Sequence, residues 1–177
     1  MAIGSHDSHD APGYTSLEPV ALSDLKNPLV RGAVVLWHSL CNDRRFPAHA
    51  DLDPRMLASF QDYMILLKVI EGGEDFEYRF VGKNQAQAYK YPVEGYLITQ
   101  TLERSSKYGP MIFAGYRYIQ QSGIPFAMRG WVGEDYVTAN FSYFETVALP
   151  LGPSDDYVDY IVVFSAFAPR DLNPVHT

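Results

Sequence analysis

The hydrophobic period of this chain changes at Tyr63, and that change restricts the fold more than any other feature. Before it, apolar residues recur at helical steps. Asn27-Pro28 pairs a good N-cap with proline at the first helical position. Val30, Ala33, Val34, Trp37, Leu40 and Cys41 then follow at three- and four-residue intervals, with Leu29 and Leu36 widening the stripe. This predicts a helix over 28–42, and Arg44 and Arg45 just beyond it complement its dipole. Asp53-Pro54 repeats the cap-then-proline signal for a second, shorter helix. From Tyr63 the pattern is that of strands. Residues 63–70 form a short apolar run, Glu71-Gly72-Gly73-Glu74 is a turn, and Phe76, Tyr78 and Phe80 alternate with Glu77 and Arg79.

Helical character returns over 83–91. It returns again over 102–121, where Tyr108, Ile112, Gly115, Tyr116 and Ile119 share a face before Ser122-Gly123. Three strands close the chain at 125–131, 137–151 and 157–167, separated by turns at Gly133-Glu134-Asp135 and Gly152 to Asp156. In the second of them Val137, Ala139, Phe141 and Tyr143 alternate. Five strands with helices gathered in the middle predict an α+β domain: an antiparallel sheet with helices on one face. A chain of 177 residues is long enough to bury roughly 70% of its unfolded surface in one core. The expected organisation is a flexible acidic arm over 1–26, the domain over 27–170 and a tail over 171–177.

Charge narrows the functional classes. Fourteen basic against 21 acidic side chains give a net charge of −7. Nucleic acid and anionic membranes are therefore poor partners, because both require clustered Lys and Arg. No apolar run reaches the roughly 18 residues of a membrane span. Residues 1–10 lack the basic start and apolar core of a secretory signal, and Cys41 is the sole cysteine. A cytoplasmic protein is expected. The Ser-His-Asp-Ser-His-Asp run at 5–10 is read as a solvated tail rather than a metal site.

Few motifs carry chemistry. Gly72-Gly73-Glu74-Asp75-Phe76 resembles the Gly-Gly-Asp/Glu-Glu-Phe hairpin of diguanylate cyclases, but its acidic pair is in the order Glu-Asp and a plain strand follows. A hairpin turn accounts for both glycines. No phosphate-binding glycine loop, nucleophile elbow or His-Glu-x-x-His occurs. His38 lies three residues before Cys41, yet Cys41 falls on the apolar stripe and reads as a core thiol. Asp51 and Asp53 could suggest acid–base or metal work, but capping is a sufficient role for Asp53. No metal site is expected. What remains is an aromatic lining. Tyr78, Phe80, Tyr89, Tyr116, Arg129, Trp131, Phe141 and Tyr143 fall on strands or on helix faces turned toward them, and they are the candidate ligand-binding residues. Val30, Val34, Trp37 and Cys41 are the candidate residues of a dimer or partner interface along the first helix.

Several strings, in order, resemble a family of single-domain PAS proteins found in alphaproteobacteria. Arg45-Phe46-Pro47-Ala48 followed by Asp51-Leu52-Asp53-Pro54 is similar to its opening, which typically reads P-x-R-x-D-I-D-P. The Ile65-Leu66-Leu67-x-Val69 strand, the Gly-Gly turn and Phe76-x-Tyr78-Arg79-Phe80-Val81-Gly82 come next. Gly123-Ile124-Pro125 and Val147-x-Leu149-Pro150-Leu151 resemble its closing part. The chain departs from the pattern where the family has a Gly-x-x-x-x-Gly run, of which only Gly95 remains.

The resemblance covers residues 29–167 and implies a PAS-like five-stranded antiparallel sheet with helices packed on it and an N-terminal cap helix. It implies no catalytic residues. The expected function is a non-catalytic sensory or signalling module, a homodimer that binds a small molecule, a partner signalling protein or both. A small α+β enzyme with a cupped-sheet pocket and a pure interaction scaffold are the alternatives. The enzyme would need Arg129, Tyr143 or Glu145 to converge in a closed pocket. The sequence names no cofactor. It offers no haem ligand and no flavin-reactive cysteine motif, and with only about ten residues after the last strand no output domain is expected.

Overall fold

The computed structural model describes residues 15–89, 91–102, 108–133 and 140–169. Within them the chain runs β1 (Ser16–Val20), α1 (Pro28–Cys41), α2 (Pro54–Leu57), β2 (Met64–Ile70), β3 (Asp75–Val81), α3 (Lys83–Ala88), α4 (Ile98–Leu102), α5 (Gly109–Ser122), β4 (Phe126–Trp131), β5 (Phe141–Leu151) and β6 (Tyr160–Pro169). The strands form one antiparallel sheet in the order β1-β4-β5-β6-β2-β3. The α+β class is as expected, and the architecture is compatible with a PAS-like sheet.

Two expectations need correction. The sheet has six strands, because Ser16–Val20, in the segment read as an arm, pairs along β4. Its sequence, SLEPV, contains a proline, which a sheet tolerates on an edge strand such as this one. Gly130 permits the pairing: a Cβ there would lie 2.2 Å from the Ser16 carbonyl oxygen. The second correction concerns the helices, which lie on both faces of the sheet. Phe144, Thr146 and Ala148 of β5 face α5 across a cavity, so the alternate residues Glu145, Val147 and Leu149 face the other way. That other face carries α1. Gly32 of α1 lies against Phe60, whose ring packs edge-on at 5.9 Å to Phe164, a residue flanked in β6 by the cavity-lining Val163 and Ser165.

Local signals explain the elements. Asn27 caps α1, its Oδ1 accepting the N–H groups of Leu29 (2.9 Å) and Val30 (3.4 Å). Asp53 caps α2 by accepting the Arg55 N–H. Trp37 donates its indole N–H to the Pro150 carbonyl at 2.9 Å, which fixes α1 across β5. In the β2–β3 turn Gly72 and Gly73 have φ values of 68° and 99°, a conformation that glycine adopts without strain. The helix expected over 102–121 is divided. Leu102 ends α4, α5 begins at Gly109, and residues 103–107 lie outside the described residues. Also outside them are the 5–10 run, Glu134 and Asp135 of the expected turn, the Val137 and Ala139 positions, and the 171–177 tail.

The Arg45-Phe46-Pro47 string has a mechanical role. Phe46 is 1% exposed. Arg45 donates to the carbonyl oxygens of Asp155 (3.0 Å) and Ser122 (2.7 Å), while its own N–H reaches the Asp155 carboxylate. One side chain thus joins the region after α1, the end of α5 and the β5–β6 connection.

Candidate functional site

The candidate site is a cavity of about 280 Å³ between the sheet and α5. Its floor is built from alternate residues of four adjacent strands: Met128 of β4, Phe144 and Thr146 of β5, Ser165 of β6 and Ile65 of β2. Leu17 and Pro19 extend that floor onto β1. Ile112, Gly115, Tyr116 and Ile119 of α5 form its roof. Their three- and four-residue spacing is that of one helix face. Met111 also lines the cavity and is 42% exposed, so the space reaches the surface near the start of α5.

No Asp, Glu, Lys, Arg or His lines the cavity among the described residues. Its side-chain polar groups are the hydroxyls of Tyr89, Tyr108, Tyr116, Thr146 and Ser165. Thr146 Oγ1 donates to the Phe164 carbonyl at 3.2 Å, and the Thr146 and Ser165 hydroxyl oxygens lie 2.7 Å apart. A smaller crevice of about 40 Å³ adjoins the cavity, with Tyr89, Ile112 and Tyr116 lining both spaces.

The eight candidate ligand residues divide among these places. Tyr89, Tyr116 and Phe141 line the cavity, while Tyr78 lines the crevice together with Tyr89 and Tyr116. Phe80, 36% exposed on the edge strand β3, lines neither. Arg129, Trp131 and Tyr143 lie on the opposite face of the sheet. Arg129 is opposite Glu145, Trp131 is opposite Tyr143, and the two rings meet with centroids 4.8 Å apart. The alternation read in the sequence would have placed Phe141 and Tyr143 on one face. A register shift between them breaks it, so that Phe141 instead packs against Phe144 at 5.8 Å.

Arg129, Tyr143 and Glu145, the candidates for an enzymatic pocket, are neighbours with structural partners. Arg129 donates from Nε to Glu18, whose carboxylate raises the guanidinium pKa further. Burial, with Glu145 adding to it, pushes the Tyr143 phenol up. Glu145 is 1% exposed, and its carboxylate accepts the Lys26 N–H (3.0 and 3.1 Å) and the Asn27 N–H (2.7 Å). It anchors the start of α1.

The four candidate interface residues are in the chain's own core. Val30, Val34, Trp37 and Cys41 are 0–8% exposed, and the large apolar side chain that α1 presents outward is Val35. Burial pushes the Cys41 thiol up, against the opposing charge of Arg44, which matches a core thiol rather than a nucleophile. Asp51 pairs with Arg44, and it also accepts the Ala48 N–H. Among the described residues no group of three His, Cys, Asp or Glu side chains is placed to hold a metal ion. No helix there is long and apolar enough to cross a membrane.

The sequence reading missed Leu17, Pro19, Thr146 and Ser165. The first two belong to the unforeseen strand. The other two are small polar residues inside apolar strands, directly paired across β5 and β6. Comparison with protein-family models and with curated proteins finds no match for this chain.

Proposed function

We propose that this chain is a non-catalytic, PAS-like sensory module that binds a small molecule in the cavity beneath α5 and passes its state to a partner protein. The observation that carries the reading is the cavity itself. Some 280 Å³ lies between the sheet and α5, lined by aromatic and aliphatic side chains with a few hydroxyls. Ligand pockets have this composition. An apolar cavity of about 150 Å³ accepts benzene, so this one suits a molecule on the order of a dozen non-hydrogen atoms. The resemblance over residues 29–167 supports the PAS-like assignment, and the pairing of β2 with β3, of β4 with β5 and of β5 with β6 is compatible with it.

Signalling in such a module rests on a bound state that a partner distinguishes from the empty one. The cavity wall provides a means, since α5 contributes the roof on one side and exposes Tyr118 on another part of its surface. Homodimerisation belongs to the same proposal.

Native mass spectrometry of freshly purified protein, compared with the denatured sample, tests both parts. An additional small mass that denaturation removes supports the ligand. A bare mass, combined with no binding of small aromatic probes, overturns it. A monomeric native mass at micromolar concentration removes the dimer.

A further inference from the structure

The chemical class of ligand follows from the cavity's lining, and this inference rests on the reading that the cavity is a binding site. We infer that the site takes an uncharged, largely aromatic molecule bearing one hydrogen-bond donor, and that the donor is received by the Thr146–Ser165 hydroxyl pair.

Three observations lead there. The lining carries no ionisable group apart from tyrosine among the described residues. Against the described lining an ionised carboxylate or ammonium would lose its hydration without gaining a counter-charge, a cost that disfavours both. Aromatic rings are distributed around the walls: Tyr89, Tyr116, Phe126, Phe141, Phe144 and Phe167. They favour a ring system through stacked and edge-on contacts.

The third observation concerns direction. Thr146 and Ser165 sit opposite one another on β5 and β6, on the floor of the cavity. Each hydroxyl has one proton and can accept two bonds. Thr146 gives its proton to the Phe164 carbonyl, so Ser165 gives its own to Thr146 across the 2.7 Å separation. Both protons are then committed, and the chain of hydroxyls ends on the Ser165 oxygen as an acceptor. A ligand hydroxyl or N–H completes this chain. At this pair, a ligand that brings only an acceptor meets oxygen lone pairs. Gly115 in the roof sets the depth available, since a Cβ built there meets no atom within 4 Å.

The experiment uses four probes of nearly equal shape, titrated into the full chain and followed by calorimetry: 2-naphthol, naphthalene, 2-methoxynaphthalene and 2-naphthoate. The expected order places 2-naphthol first, roughly threefold to tenfold tighter than naphthalene or 2-methoxynaphthalene, the range one hydrogen bond supplies. The naphthoate shows no binding. Ser165→Ala is expected to bring 2-naphthol down to the affinity of naphthalene while leaving naphthalene unchanged. Thr146→Val, a second variant, frees the Ser165 proton, so in that variant 2-methoxynaphthalene is expected to gain on naphthalene while 2-naphthol keeps its acceptor. Equal affinities for the three neutral probes, or tighter binding of the methoxy or carboxylate compound, overturn the ligand class but leave the cavity as a site. Failure of all four probes to bind, in a protein whose native mass is bare, overturns the site itself.

Discussion

At the scale of single residues, Gly115 and two aspartates make separable claims. Glycine inside α5 costs about 1 kcal/mol relative to alanine, and at Gly115 no neighbour requires the missing Cβ. Gly115→Ala is therefore expected to raise stability by about 1 kcal/mol, seen as an increase of about 2–4 °C in Tm for a domain of this size. A decrease in a thermal melt would show that the roof of the cavity is more tightly packed than its geometry indicates. Asp51 and Asp159 have opposite pH signatures. The Ala48 N–H and Arg44 hold the Asp51 carboxyl below its ordinary value. Its stabilising effect is thus complete above the unfolded pKa and is lost as pH falls through the folded one. Burial instead raises Asp159, whose Oδ1 is buried without a hydrogen-bond partner among the described residues. Folding then favours its protonated form, and stability declines as pH rises through its shifted pKa. Urea denaturation across pH 2–8 should show Asp51→Asn destabilised at pH 7 and level with the parent at the acid end. Asp159→Asn should be stabilised at pH 7, with the advantage disappearing in acid.

At the scale of elements, the junction between α1 and β5 is the informative one. Glu145 is a buried acid whose role is to accept three backbone contacts at the start of α1. Its negative charge also lies at the positive end of the helix. Glu145→Ala leaves two N–H groups without their acceptor and is expected to cost about 1–3 kcal/mol. Glu145→Gln retains an acceptor oxygen and should cost less. Equal losses for the two variants in denaturant titrations would mean that the charge, not the hydrogen bonding, dominates. This junction also shows what the sequence could and could not reveal. Helix α1 was legible because its cap, proline and stripe agree, and α2 from its cap and proline. Which surface the α1 stripe would cover was not legible, since an apolar face looks the same whether it meets its own sheet or another subunit. Only the long-range contacts of Trp37 with Pro150 and of Asn27 with Glu145 decide it. The aromatic candidates were divided between the two faces for a related reason. Alternation places residues reliably within an unbroken strand, so one register shift beside Phe141 was enough to send Tyr143 to the face opposite the cavity.

At the scale of the whole molecule, the sixth strand ties the N-terminal segment to the site. Strand β1 was illegible because it is short, carries Pro19 and two exposed positions for every partly buried one in its middle, and has no hydrophobic run. It is formed by the edge that β4 offers, not by its own composition, and Gly130 is the residue that lets it come close. Leu17 and Pro19 line the cavity, so this edge strand is part of its wall. Removing residues 1–20 should leave the β4-β5-β6-β2-β3 sheet able to form, because β1 pairs only along the edge offered by β4. The cavity, however, would lose one side, and the β4 edge would present unpaired backbone groups to other molecules. The truncated protein is thus expected to keep a cooperative melt, to bind 2-naphthol at least tenfold more weakly, and to self-associate in size-exclusion chromatography. Leu17→Ser in the full chain separates the two effects: it should weaken 2-naphthol binding while the chain elutes like the parent. Parental affinity in both variants would show that the ligand sits under α5 without touching β1, confined to the five-strand part of the floor.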